Sequence, residues 1–465
     1  MIAITRILLA LTAILLCNCV SGYTEIIKIV ETRSKVDKNN KVRITTVETF
    51  YNNNEMIAQI LINEKGKVVE KEGKIPDGIV KEYSKDDKSY TEWNYAGEKI
   101  TGISTKYYEA GQQKKEVIYK NKLLPPSEGN PRNSEGAFVK LNDNRIMFVY
   151  THYYSGTGGD HDKAYLAARY SSYDGKSWST EDQVVVQNEG QCNVMSVSLL
   201  RLKNGDILIG YLVKNTGTDC GYYIRRSTDD GKTWNDRVEV THATIQGYHV
   251  VNNDRMIQLS TGRVVVPVAS CGKAEIFFSD DNGYTWQCSN SILESPVAMD
   301  SEIMVFGIKG QHKSGLQEPG VVELKDGTLM LWARTDLGCQ YESFSKDSGK
   351  TWSAVEKSSL ISPCSPASIK RIPSTGDLLV VYNDHSGRFP FTPLKRTPLV
   401  TAISKDEGKT WVNHKQIEDD PYGWYCYIAI EFVGENIVLA YCSGDKTVGK
   451  LRQIQVTIVP VTELY

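Results

Sequence analysis

Gly-Lys followed by Thr or Ser recurs at Gly175-Lys176-Ser177, Gly231-Lys232-Thr233, Gly349-Lys350-Thr351 and Gly408-Lys409-Thr410. Such a triplet cradles phosphate when a further Gly stands five residues upstream of its own Gly. Those upstream positions are Tyr170, Arg226, Phe344 and Ile403, so phosphate-loop chemistry is excluded. His152, His161 and His249 have none of the H-x-x-x-H or H-E-x-x-H spacings of a catalytic metal site. The eight cysteines from Cys192 to Cys442 include no C-x-x-C pair, which argues against structural zinc. No metal or cofactor is expected. Disulfides and buried free thiols in a β core both remain open for these cysteines.

The Gly-Lys triplets belong to a longer frame, Ser-x-Asp-x-Gly-x-Thr-Trp. It is complete at Ser227 to Trp234, Ser279 to Trp286, Ser345 to Trp352 and Ser404 to Trp411, and a fifth copy, Ser171 to Trp178, has Tyr173 in place of Asp. This is the Asp-box. Its chemistry is that of a hairpin turn: Asp and Ser or Thr side chains satisfy turn amides, Gly takes a left-handed conformation, and Trp wedges between neighbouring sheets. The boxes are therefore expected to be structural.

The elements that carry the boxes show a second period. An apolar pair, a turn with Gly, Asn or Asp, and a further apolar run recur six times, from Val139 to Tyr150, Leu200 to Tyr211, Ile257 to Val268, Val322 to Trp332, Lys370 to Tyr382 and Glu431 to Tyr441. Over the part of the chain after residue 130 this gives roughly 56 residues per repeat, the size of a four-stranded propeller blade. The fold class expected is all-β: a six-bladed propeller over 130–465, preceded by a small antiparallel module over 23–125. That module shows period-two alternation, as in Val42 to Tyr51, and Gly-Lys or Gly-Glu-Lys turns at Gly66, Gly73 and Gly97. It resembles the short hairpin repeats of the MORN and antitoxin-like class, and reads as a spacer or binding surface. Leu123 to Pro131 reads as a linker.

At the start, Arg6, the apolar run Ile7 to Leu16 and the small residues near Gly22 predict a secretory signal peptide over 1–22. The product would be secreted, periplasmic or at the cell surface. Lipid anchoring through Cys17 is disfavoured by Leu16, which stands where a small residue is wanted. Fifty-four Lys and Arg against 56 Asp and Glu give a net charge of -2, which offers no bulk attraction to nucleic acid or anionic lipid. A glycan, peptide or small molecule is left as partner.

An Asp-box propeller behind an export signal resembles the sialidase (neuraminidase) superfamily, and the resemblance covers 130–465. Members hold the substrate carboxylate with three arginines, use a Tyr nucleophile paired with a Glu, and protonate the leaving group with an Asp. Gln317-Glu318-Pro319-Gly320-Val321-Val322-Glu323-Leu324 is similar to the phrase that carries the Glu, which implies that role for Glu318. Leu331-Trp332-Ala333-Arg334 implies Arg334, and Arg396-Thr397-Pro398-Leu399 implies Arg396, for two of the arginines. Tyr425-Cys426-Tyr427-Ile428-Ala429 matches Tyr-x-x-(Leu/Ile)-Ala and implies Tyr425 as nucleophile. Arg132 occupies the place of the first arginine in an altered phrase, and Cys442 stands where a supporting Glu is usual, so Glu135 is expected to orient Arg132. Gly158-Gly159-Asp160-His161-Asp162 precedes the first box. Counting back from Ser171 favours Asp160 over Asp162 as acid/base.

The residue types suit the chemistry the resemblance implies. Guanidinium groups match a carboxylate with bidentate, charge-assisted hydrogen bonds. A neutral phenol deprotonated by a neighbouring Glu avoids the repulsion that a carboxylate nucleophile would meet. The implied activity is that of a retaining exo-glycosidase acting on terminal sialic acid or a related 2-keto-acid sugar of acidic glycans. A glycan-binding propeller without catalysis, or a glycosidase or lyase of other specificity, are the competing readings.

Overall fold

In the computed structural model of the chain, residues 26–36, 42–53, 55–63, 68–83, 89–110, 113–171, 175–241 and 247–465 are described. The expected signal peptide, the Gly66-Lys67 turn and Tyr173 of the fifth box lie outside the described residues. The chain divides into two compact units between Asn121 and Lys122. Every described element is a strand except a short 3-10 turn, Val461–Leu464.

In the first unit, alternating residues build antiparallel hairpins such as Val42–Asn52 with Glu55–Asn63, while Ile26–Val36 runs parallel to Gly78–Tyr83. One face buries Phe50, Ala58, Ile75, Val80 and Tyr95. Lys28, also buried, is neutralised by Glu82 at 2.6 Å. The strand Gln113–Leu124 ends where Pro125 and Pro126, which have no amide N–H to give a ladder, interrupt it.

The second unit is a propeller of six blades, with a separate two-stranded hairpin, Glu302–Val305 with Ile308–Gln311, between blades three and four in the chain. Blade one runs from Arg132–Lys140 at the centre through Ile146–Tyr153 and Ala164–Ser171 to Gln183–Val186 at the rim. Blade two has Asn193–Arg201, Ile207–Lys214, Cys220–Ser227 and Val238–Glu239 in the same order. The central strand of blade three is broken into His249–Val250 and Ile257–Gln258, both paired with Val264–Ser270. Blade four has Gln317–Glu323, Leu329–Arg334, Cys339–Ser345 and Glu356–Ile361, and blade five has Ser368–Arg371, Leu378–Asn383, Leu399–Ser404 and Val412–Glu418. Blade six contributes Trp424–Val433, Asn436–Gly444 and Ile454–Pro460. The six repeated strand-turn-strand units are the hairpins between the first and second strands of each blade.

Second strands such as Ile207–Lys214 are buried along their whole length because both faces meet a neighbouring blade. They accordingly read as continuous apolar runs. The box turns close the far ends of third strands. In the box of blade two, Asp229 accepts from the Thr233 amide at 2.9 Å and its hydroxyl at 2.6 Å, while Ser227 Oγ accepts from the Gly231 amide at 2.8 Å. Box glycines are left-handed and face the preceding blade, as Gly349 faces Ile276. Trp286 is buried in the core shared by blades two and three. Trp352 sits half-buried against the core shared by blades three and four.

Four central strands share an irregularity that positions the site. Each has a two-against-one bulge, and the first bulged residue is left-handed: Glu135 at φ 55°, Ser196 at 60°, Glu318 at 48° and Tyr427 at 59°. A bulge re-aims one side chain out of the pleat. All four lie at the same end of their blades, near the starts of the central strands.

Candidate active site

Glu318 and Tyr427 come from bulges on different blades, and the Tyr427 hydroxyl donates to Glu318 Oε1 at 3.2 Å. The second Glu318 oxygen accepts from Arg334 Nη1 at 2.6 Å. Burial opposes ionisation of Glu318, but Arg334 and Arg396 outweigh it and hold its carboxyl below the ordinary range. The Tyr427 phenol goes the other way. Burial, reinforced by the Glu318 charge, pushes it well above its usual value, so it stands neutral beside an ionised carboxylate.

The expectation for Tyr425 needs correction. Tyr425 and Tyr427 would share a face in a regular strand, but the bulge at Tyr427 and Ile428 breaks that alternation. Tyr427 is directed to Glu318, whereas Tyr425 packs edge-on against Tyr441, with ring centroids 6.2 Å apart. A sequence signal for this exists. The left-handed residue is followed two positions later by a small one in all four strands: Ala137 after Glu135, Ser198 after Ser196, Gly320 after Glu318 and Ala429 after Tyr427. Tyr425 fails that test, because Tyr427 lies two positions on.

The three arginines are in different states. Arg334 closes the second strand of blade four and also donates from Nε to Cys364 Sγ at 3.2 Å. Arg396, in the loop before the third strand of blade five, lies with its guanidinium carbon 5.3 Å from the ring centres of both Trp424 and Tyr427. Its Nε and Nη1 are buried with no hydrogen-bond partner among the described residues. Orphaned donors on a buried cation are costly, and these lie beside the Tyr427-Glu318 pair. Arg132, buried at 2% exposure, directs its donors to Ser134 Oγ, Gly158 O, Asp160 Oδ1 and Glu135 Oε1.

Glu135 is buried, 3.3 Å from Arg132 Nη2, and also accepts from Ser196 Oγ at 3.2 Å. Burial pushes its carboxyl up to about 7 even though Arg132 pulls it down. Cys442, at the position where the resemblance implies a Glu, faces Cys426 across adjacent strands, and all eight described cysteines are free thiols. Asp160 lies 2.5 Å from Arg132 Nη1 with its side chain 60% exposed. Burial works against its charge, but Arg132 prevails and keeps its carboxyl below the usual value. Asp162 acts on the backbone instead, where its Oδ2 accepts from the amides of Thr157 and Gly159 at 2.9 and 2.7 Å and closes the loop that presents Asp160. That loop is anchored where Asn193 and Lys214 donate to the Asp160 carbonyl at 3.0 and 2.9 Å. No cluster of metal-ligating side chains occurs among the described residues.

A Tyr-Glu pair flanked by buried arginines, on a propeller bearing Asp-boxes, limits what this chain is related to. The BNR repeat-like domain family matches residues 213–441. A sialidase of Bacteroides fragilis is 27% identical over 227 residues, covering 45% of this chain and 37% of that protein. A sialidase of Clostridium perfringens is 26% identical over 241 residues, with coverages of 45% and 58%. Over these stretches the chain is similar to bacterial sialidases. In fold it is similar to the NanB sialidase of Streptococcus pneumoniae, with a TM-score of 0.57, 12% identity and 97% of each chain covered. The stretches matched to the two bacterial sialidases span only part of those proteins' length.

Proposed function

We propose that the chain is a retaining exo-glycosidase that releases terminal sialic acid, or a closely related 2-keto-acid sugar, from glycans. The observation that carries this reading is the contact between the neutral Tyr427 phenol and the ionised Glu318, set between Arg334 and the unpaired donors of Arg396. Arg396 and Arg334 bind the substrate carboxylate, with Arg132 at its other side. The Tyr427 oxygen attacks the anomeric carbon while Glu318 takes the phenol proton, and Asp160 protonates the departing glycosidic oxygen. Water then enters, Asp160 removes its proton, and the sugar-tyrosine bond breaks as Tyr427 regains its proton from Glu318.

Arg132 has a further part in this sequence. Its pairing with Asp160 holds that carboxylate ionised. When the substrate carboxylate engages Arg132, the pairing weakens, the Asp160 carboxyl rises in pKa and takes up a proton from the solvent to which it is exposed, and it then serves as the proton donor the first step requires. The sequence relatives support the reaction class, being themselves sialidases. The signal peptide adds export to the proposal, to be checked by N-terminal sequencing of the product from culture fractions.

The decisive experiment for activity is release of free sialic acid from an aryl α-sialoside and from sialyllactose by purified protein. Turnover of both is expected. Binding without release would leave a glycan-binding propeller and overturn the hydrolase.

A further inference from the structure

Beside Asp160 lies a cleft of about 540 Å³, walled on one side by the loop that presents Asp160 and on the other by loop 445–452 of blade six. Its lining includes four cations, Arg132, Lys446, Lys450 and Arg452, and a single carboxylate, that of Asp160 itself. The three cations of loop 445–452 are exposed. Such a concentration of positive charge is unusual for a chain whose net charge is -2.

The loop is built to display these cations. Its own acid, Asp445, is turned inward: Oδ1 accepts from the amides of Thr447 and Val448 at 2.7 and 2.9 Å, and Oδ2 lies 3.6 Å from Lys122. At the other end, the Arg452 carbonyl accepts from the Asn133 amide at 3.1 Å and fixes the loop beside Arg132. Lys446 lies 3.2 Å from the Tyr422 ring centre, and Lys450 lies 4.5 Å from that of Trp424. Trp424 also carries Arg396, so one ring supports a cation of the cleft and a cation of the carboxylate site. An aromatic face holds an ammonium group without neutralising it, which leaves the charge of Lys450 directed at a ligand.

We infer that this cleft takes the leaving group, and that it selects glycans in which the sugar next to the released one carries an anionic substituent, a carboxylate or a sulfate ester. The inference rests on the proposed hydrolase reading, because the glycosidic oxygen protonated by Asp160 marks where the leaving group begins. Three exposed cations around one anionic group raise its local concentration and its affinity, in a manner that salt screens.

The test compares kcat/KM on three natural-type substrates at low and high salt: sialyllactose, its galactose 6-sulfate, and disialyllactose. An aryl sialoside serves as the leaving group without an anion. The sulfated or the disialyl substrate should exceed neutral sialyllactose by on the order of tenfold at low salt, and the ratio should shrink at high salt. Which of the two is preferred identifies the anion. Lys446→Ala/Lys450→Ala/Arg452→Ala should bring the ratio close to one, and the ratio rather than the absolute rate is the readout. If the triple variant loses its thermal transition, Lys450→Gln alone should lower the ratio. Equal kcat/KM for anionic and neutral leaving groups, or a preference that survives in a folded variant, would overturn the inference. If even the aryl sialoside is not cleaved, the hydrolase reading fails, and calorimetric binding of the same three glycans decides the cleft. Equal affinities would then refute it.

Discussion

At the scale of single residues, the chemistry turns on which tyrosine meets Glu318. Tyr427→Phe should lower kcat by on the order of a thousandfold with the fold retained, because the nucleophilic oxygen is removed. Tyr425→Phe should stay within about tenfold of wild type, since its hydroxyl makes no contact with the Glu318 pair. Steady-state kinetics on an aryl sialoside separates them, and the reverse result would restore Tyr425. Glu135 makes a second residue-level claim, on stability. Its folded carboxyl is raised to about 7 by burial, so the folded state binds a proton that the unfolded chain releases near its ordinary carboxylate value. Its contribution is therefore fully present below about pH 4.5 and is lost as pH rises through about 7. Denaturant unfolding should show wild type losing on the order of 2 kcal/mol more than Glu135→Gln between those limits. A parallel decline in the two proteins would place the carboxyl at an ordinary value and refute its protonation by burial.

At the scale of elements, the boxes and the bulges divide the work between the two ends of each blade. Boxes bind their own turns and the preceding blade, so their tryptophans should matter by burial. Trp286, at 5% exposure, should cost about 3–5 kcal/mol on replacement by Ala. Trp352 is only half-buried and should cost less than Trp286. Equal losses in thermal denaturation would show that burial does not set the box contribution. The repeated hairpins and boxes were legible in the sequence because each is encoded locally, by alternation and by turn chemistry within eight residues. Glu318, Arg334, Arg396, Asp160 and the Glu135 contact to Arg132 also lie on segments that could be singled out from the sequence. The Tyr425 assignment failed because a bulge is a property of two strands. Whether Tyr427 continues the pleat or leaves it depends on its pairing with Asn436–Gly444, and the Tyr-x-x-(Leu/Ile)-Ala phrase does not fix that pairing; along the strand itself only the small residue two positions after Tyr427, Ala429, marks the bulge.

At the scale of the whole propeller, one short segment joins blades that are distant in sequence. The break in the central strand of blade three places Asn253, Asp254 and Arg255 at the middle of the ring. Asp254 accepts from the Ile430 amide at 3.0 Å and from Lys370 at 2.8 Å, while its own amide donates to the Val197 carbonyl at 2.9 Å. Arg255 donates to Ser368 Oγ at 3.2 Å and to the Ala367 carbonyl at 2.6 Å. Blades two, five and six are thereby tied to blade three. Asp254 and Arg255 accordingly serve the framework of the ring.

Asn253 connects this framework to the chemistry. Its Nδ2 donates to the Gly136 carbonyl at 2.6 Å and to the Tyr427 carbonyl at 3.0 Å, so one amide holds the bulge that carries Glu135 and the bulge that carries Tyr427. Asn253→Ala leaves two buried carbonyls without a donor and should cost about 1–3 kcal/mol each. Asn253→Asp is nearly isosteric but presents an ionised acceptor to two acceptors, so at neutral pH it should be worse than Ala. Protonation restores one donor, so Asn253→Asp alone should regain stability on acidification. Turnover should follow the same order, since misplacing Tyr427 by a fraction of its 3.2 Å contact with Glu318 weakens proton transfer between them. Thermal midpoints and kcat measured across pH for the two variants test this. If Asn253→Asp matched Asn253→Ala at every pH, the donor character of that amide would have no part in holding the two bulges, and the link from the centre of the ring to the nucleophile would be broken.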